Sequence, residues 1–135
     1  MESKVINNKI ELIQRVDQIY VYKALNECTL DMETAMAMTK VGDEWNGKAL
    51  CANLLDIRDM LFVDSKVRDY AAAQYRPHVA GLAILTGSVF NVYFANLFMK
   101  FSNPKVPTKL FNDENAAIVW LKVQMEKQKK TQVKP

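Results

Sequence analysis

Leu54-Leu55-Asp56-Ile57-Arg58-Asp59-Met60-Leu61-Phe62-Val63-Asp64-Ser65 is the stretch on which the reading of the whole chain turns. The apolar run Ala49 to Asp56 has the length of a buried strand and ends in an aspartate. Eight residues later Asp64-Ser65 supplies side-chain oxygens of the kind that cap the first N–H groups of a helix. A strand, a short loop and a helix starting near Asp64 therefore make one unit. Val79 to Thr86 followed by a helix from Ser88 makes a second. Continuous apolar strands alternating with helices are the pattern of parallel strands covered on both faces.

Outward from this centre, Lys9 to Ile13 and Gln18 to Leu25 are strand-like runs around a polar turn at Arg15 and Asp17, and together they predict a β-hairpin. Thr29 has N-cap chemistry and is expected to open a helix closed by Gly42, with Asp43 to Lys48 as a turn. After Pro104 and Pro107 a short strand, Thr108 to Phe111, precedes Asn112-Asp113, which caps a last helix. Ala117, Trp120, Leu121 and Gln124 share one face of that helix. Trp120 is expected to anchor it, with Trp120→Ala costing about 3–5 kcal/mol. The order is ββαβαβαβα in a single domain, 1–126, followed by a basic tail, 127–135, expected to fray and to be dispensable for stability.

This order, the Leu54–Ser65 pattern and the ending Pro107-Thr108-Lys109-Leu110-Phe111, Asp113-Glu114-Asn115-Ala116, Trp120-Leu121 resemble the STAS domain. The ending is similar to that of small bacterial proteins of the SpoIIAA-like group. STAS domains carry a buried strand ending in Asp, a short loop and Asp-Ser-Ser-Gly at the start of a helix. Here Lys66 stands for the second serine and Val67 for the glycine. In the anti-sigma factor antagonists of the family the second serine is phosphorylated. The resemblance thus implies the scaffold without the phospho-switch, only Ser65 being able to substitute.

Composition narrows the function classes. A chain of 135 residues buries roughly two thirds of its unfolded surface as one domain. Half of its residues are apolar and 24% charged, as in soluble globular proteins. Lys127, Lys129, Lys130 and Lys134 against Glu126 carry the whole net charge of +3. The body is neutral and lacks the basic face of a nucleic-acid binder. Cys28 and Cys51 form no metal-ligand or CxxC spacing and read as buried reduced thiols. Without the apolar core of a secretory signal near Met1, the expected location is the cytoplasm, with no membrane span, metal or cofactor.

Asp56, Asp59 and Asp64 have the residue type for acid–base work, but a strand end, a loop and a helix cap account for all three. Ser65 and His78 lack a nucleophile elbow, and no phosphate loop is present. The expectation is a non-enzymatic regulatory or scaffolding module acting through protein contacts, with an unknown protein partner. The resemblance places its contact surface at Asp64, Ser65, Lys66 and Arg68. The Thr86-Gly87-Ser88 loop adds a candidate anion site at a helix start, beside the carboxyl end of a strand.

The helix of Ser88 to Phe101 is apolar nearly all round. Phe90, Tyr93, Phe94, Leu97, Phe98 and Phe101 group on one face, and Val92, Ala95 and Met99 form a stripe nearly opposite. That stripe is the candidate interface of a homodimer. Met32, Met36 and Met38 serve core or interface. The alternative function is a carrier or sensor of a small apolar or anionic ligand, which a closed apolar pocket beneath Ser88 to Phe101 would favour.

Overall fold

The computed structural model describes residues 2–15, 18–74, 76–102 and 104–133, the side chains of residues 90, 94, 101, 102, 132 and 133 excepted. Strand β1 (Glu2–Ile6) turns into β2 (Ile10–Gln14) through Asn7 and Asn8, both at positive φ (51° and 60°). Asparagine tolerates these left-handed values, which primed hairpin turns require. Four of the five β1 residues are exposed, so the strand carries no hydrophobic pattern to read. β2 pairs antiparallel with β3 (Ile19–Ala24), the expected hairpin, whose turn residue Asp17 lies outside the described residues.

β4 (Cys28–Leu30) leads into α1 (Met32–Asn46), and both expected ends of this helix are corrected. Thr29 is a β4 residue paired with Phe62. The cap is Asp31, whose carboxylate accepts from Thr34 N at 2.8 Å and from Lys9 Nζ at 2.7 Å. These two bonds, that of Lys9 first, hold its carboxyl well below the usual carboxylate range. Asp31→Ala is therefore expected to cost about 1 kcal/mol and Thr29→Ala clearly less, as read by denaturant midpoints. The helix runs through Gly42 and the expected turn at Asp43 to end at Gly47, φ 59°, whose N–H donates to Asp43 O.

β5 (Cys51–Asp56) follows, then β6 (Met60–Val63) in what reads as a loop, and α2 (Ser65–Ala73). β6 forms a small separate parallel pair with β4. The remaining elements are β7 (Val79–Leu85), α3 (Val89–Leu97), a π-turn (Phe98–Ser102), β8 (Thr108–Phe111) and α4 (Glu114–Val133). The main sheet has the order β1-β2-β3-β5-β7-β8, with β3, β5, β7 and β8 mutually parallel. The chain is thus α/β with a mixed, mainly parallel sheet, and removing β1, β4 and β6 leaves the ββαβαβαβα order. Residues 127–133 continue α4, and Gln128 Nε2 donates to Pro77 O at 3.2 Å.

The sheet buries two cores. Tyr20, Tyr22, Leu12, Cys51 and Ile84 face α1, α2 and α3, while Ile19, Val21, Leu54 and Leu85 face α4 through Ala117, Leu121 and Met125. Trp120 is only half-buried, tilted against Phe111 with ring centroids 5.7 Å apart, so the anchor of α4 is the fully buried Leu121.

The outer stripe expected on α3 does not hold together. Ala95 is 3% exposed and in the core, Met99 is half-buried against the same core, and Val92 is 42% exposed. Asn91, Ala95 and Phe98, at i, i+4 and i+7, are the inward line. Asn91 sets this rotation, donating through Nδ2 to Met60 O at 3.3 Å. Tyr93, expected inside, is exposed; the Phe90, Phe94 and Phe101 side chains lie outside the described ones.

Candidate functional site

The carboxyl ends of the parallel strands are where the sequence places a site, and there the polar groups serve the fold. Thr86 is buried and staples β7 to β8, its N–H and Oγ1 both donating to Phe111 O (2.8 and 3.2 Å). Gly87 N donates to Asn91 Oδ1 at 3.2 Å, and Ser88 Oγ accepts from Asn91 N at 3.0 Å. The loop's N–H groups at Thr86 and Gly87 are thus engaged internally and are not open to the expected anion. Its neighbour across the sheet end is Arg58, not Asp64-Ser65: a Cβ on Gly87 would stand 2.9 Å from Arg58 Cγ. β6 accounts for the difference, because it inserts a strand between Asp56 and Asp64.

The three aspartates have separate partners. Asp56 is buried and takes Arg58 in a two-pronged pair, Nη2 at 2.8 Å and Nε at 3.0 Å. This pair raises the Arg58 guanidinium above its ordinary range. Asp59 accepts from Glu27 N at 3.2 Å, and Asp64 caps α2 by accepting from Lys66 N at 2.8 Å. Ser65 and Lys66 are exposed beside that cap. Arg68 is half-buried, and its Nε is buried without a partner among the described residues.

A different site lies on the α1–α2–α3 face of the sheet. A cavity of about 140 Å³ is bounded by Tyr22, Asn53, Leu55 and Leu82 from the strands, Met38 and Thr39 from α1, Tyr70 from α2 and Gln74 just after it. Phe98 of the π-turn, Val106 and Arg76 complete it. A second cavity of about 80 Å³ shares Leu30, Leu55, Val67, Ala71, Leu82 and Phe98, and adds Arg68, Ile57 and Met60. The apolar walls follow from strand alternation, which turns Tyr22, Leu55 and Leu82 to the same face.

Two of the side chains that line the larger cavity carry buried polar atoms without a hydrogen bond among the described residues. Asn53 is 8% exposed, and its Oδ1 is buried without a hydrogen bond among the described residues. Arg76 Nε is likewise buried and unpartnered there, although Arg76 Nη2 pairs with Asp43 Oδ1. Asp43 Oδ1 also meets His78 Nε2 at 3.1 Å, so the lone histidine is a partner of α1 rather than of Ser65. A buried polar atom without a partner costs about 1–3 kcal/mol and calls for an explanation by an unseen occupant or a function.

Burial raises the Tyr22 phenol well above its ordinary range, Arg76 opposing and Cys51 and Asp43 adding to the shift, so its hydroxyl stays protonated. Burial also pushes the Cys51 thiol up to about 11, and that of Cys28 upward. Cys51, packed against Asn46 Nδ2, is a thiol and not a nucleophilic thiolate at neutral pH. These groups bind protons more tightly folded than unfolded. Their contribution is intact below the unfolded thiol value near pH 9 and is lost as pH rises toward 11 and beyond. Thermal midpoints are expected to fall from pH 9 upward, less steeply in Cys51→Ala; a midpoint flat to pH 11 contradicts this.

Tyr22, Asn53 and Arg76 were not singled out by sequence. One signal was available: Asn53 interrupts the otherwise apolar Cys51-Ala52-Asn53-Leu54-Leu55. Tyr22 and Arg76 carry no comparable local mark.

With fold and cavity defined, the comparisons place the chain. Residues 13–124 match the family described as a domain of unknown function, DUF7793. The chain belongs to the DUF7793 family. The fold of this DUF7793 member is similar to the crystal structure of an uncharacterized DUF3478-family protein with a SpoIIAA-like fold from Shewanella loihica PV-4. The TM-score is 0.59 at 17% identity, covering 90% of this chain and 98% of the other. The SpoIIAA-like fold expected from the STAS resemblance is thereby shown. Comparison with curated proteins finds no match. Among the described residues of this DUF7793 chain, no helix is long and apolar enough to cross a membrane.

Proposed function

We propose that the chain is a non-enzymatic module that takes up a small, mostly apolar molecule between its sheet and the α1–α2–π-turn layer, as a carrier or sensor. The observation that carries this reading is the cavity lined by Asn53, whose carboxamide oxygen is buried without a partner among the described residues. Binding pockets combine apolar walls with a few placed polar groups in this way. Phe98 of the π-turn lines both cavities, so a ligand would touch the segment that follows α3. Free, buried Cys28 and Cys51 suit a reducing compartment such as the cytoplasm.

A regulatory role through protein contacts is the second reading. Leu61 and Phe62 on β6 and Val89, Val92 and Tyr93 on α3 are large exposed hydrophobics on two elements joined by the Asn91–Met60 bond. Such surfaces mark contact sites when contiguous, and a homodimer through them is one form of this reading. Native mass spectrometry of the chain purified from its own host tests both readings. The ligand reading expects a retained mass of small-molecule size that denaturation releases. A chain that carries none, and takes up none from a host metabolite extract, overturns it. The same spectra give the subunit number.

A further inference from the structure

We infer that the cavity selects a small uncharged ring compound bearing a hydroxyl group, a phenol or alkylphenol by class, over an organic anion of the same size. This rests on the reading of the cavity as a ligand site and adds the identity of the head group. Three observations carry it.

The first is size. A cavity near 150 Å³ lined by apolar side chains accommodates one six-membered ring, and the larger cavity is about 140 Å³. The adjoining space of about 80 Å³ shares Leu55, Leu82 and Phe98 with it and offers room for a short alkyl arm.

The second is hydrogen-bond polarity. Among the described residues, Asn53 Oδ1 is an acceptor lacking a donor, and Arg76 Nε is a donor lacking an acceptor. A hydroxyl both donates and accepts, so it has what each of these atoms lacks. A carboxylate only accepts. It would leave Asn53 Oδ1 unanswered and set a second negative oxygen toward it.

The third is charge. The Arg76 guanidinium already has the Asp43 carboxylate as its counter-ion, and that carboxylate also meets His78. A buried anion would enter a wall whose cation is already neutralised, and an uncompensated buried charge is costly. The other nearby cation, Arg68, contributes to the second, otherwise apolar cavity.

The test is titration of the full chain with phenol, toluene and benzoate, read by calorimetry and by NMR shifts of assigned amides. Phenol is expected to bind about tenfold more tightly than either of the others, the factor one neutral hydrogen bond supplies. 4-Ethylphenol is expected to bind more tightly than phenol. Shifts should centre on β5 and the π-turn. In Asn53→Leu the phenol preference over toluene should vanish while toluene still binds. The wild-type ranking decides the ligand class even if that variant fails to fold. Benzoate binding most tightly, and losing its advantage in Arg68→Gln, overturns the uncharged class and leaves the ligand reading standing. Toluene equal to phenol in the wild type also overturns it, since the polar wall would then not be read. No saturable binding by any of the three overturns both the inference and the aromatic form of the ligand reading, which native mass spectra of the host-purified chain then judge separately.

Discussion

Gly42→Ala is expected to destabilise the protein by about 1–3 kcal/mol or more, although Ala is the better helix former by roughly 1 kcal/mol. Gly42 lies within α1, not at its end, and a Cβ there would stand 2.1 Å from Tyr22 Oη. Tyr22 is buried on β3, so neither the ring nor the helix can withdraw without opening the core. The hydroxyl makes the severe conflict, while the next ring atom, Cζ, at 3.3 Å would need to give by only a few tenths of an ångström. Tyr22→Phe should therefore rescue Gly42→Ala, and the double-mutant cycle should give a coupling energy of at least about 1 kcal/mol. Additive unfolding free energies would refute the contact. Gly47 plays a different part: at φ 59° and with nothing within 4 Å of its Cβ position among the described residues, it is the residue that ends the helix.

Leu121→Ala is expected to cost about 2–5 kcal/mol, more than Trp120→Ala despite the smaller side chain removed. Leu121 is 0% exposed, whereas Trp120 keeps one side in solvent and rests on Phe111 and Gly81. The cost depends on the cavity left behind, and a fully enclosed leucine leaves one that water cannot enter. Urea midpoints and slopes for both variants check the order. A larger loss in Trp120→Ala would mean that α4 is held at its rim.

The candidate site was legible only in fragments. Its apolar strands were legible from their hydrophobic runs, and a ligand in a closed apolar pocket beneath Ser88 to Phe101 stood as the alternative to protein contacts. Arg68, named for a surface contact, also lines a cavity. Ser88 and Asp64 cap their helices as their residue types predict, since a cap is a bond between near neighbours in sequence. Thr29 failed as a cap because Asp31, two residues on, has Lys9 from a separate hairpin to hold its carboxylate.

The sequence by itself determined the alternation of strands and helices from β2 to α4, because hydrophobic period and capping chemistry act over a few residues and are written in order. Its resemblance to STAS domains implies that Lys66 stands where their phosphoacceptor serine does. Tertiary structure alone decided the rest. β1, β4 and β6 exist because partners supply their hydrogen bonds, and three of the four β6 residues stay at least partly exposed. The rotation of α3 is set by a bond from Asn91 to a carbonyl on β6, so Ala95 went inward against its apparent stripe. Asn53, Arg76 and Tyr22 meet around one cavity from two different strands and a loop. No local pattern encodes such a meeting, because what makes these groups significant is the partner each lacks or displaces in three dimensions.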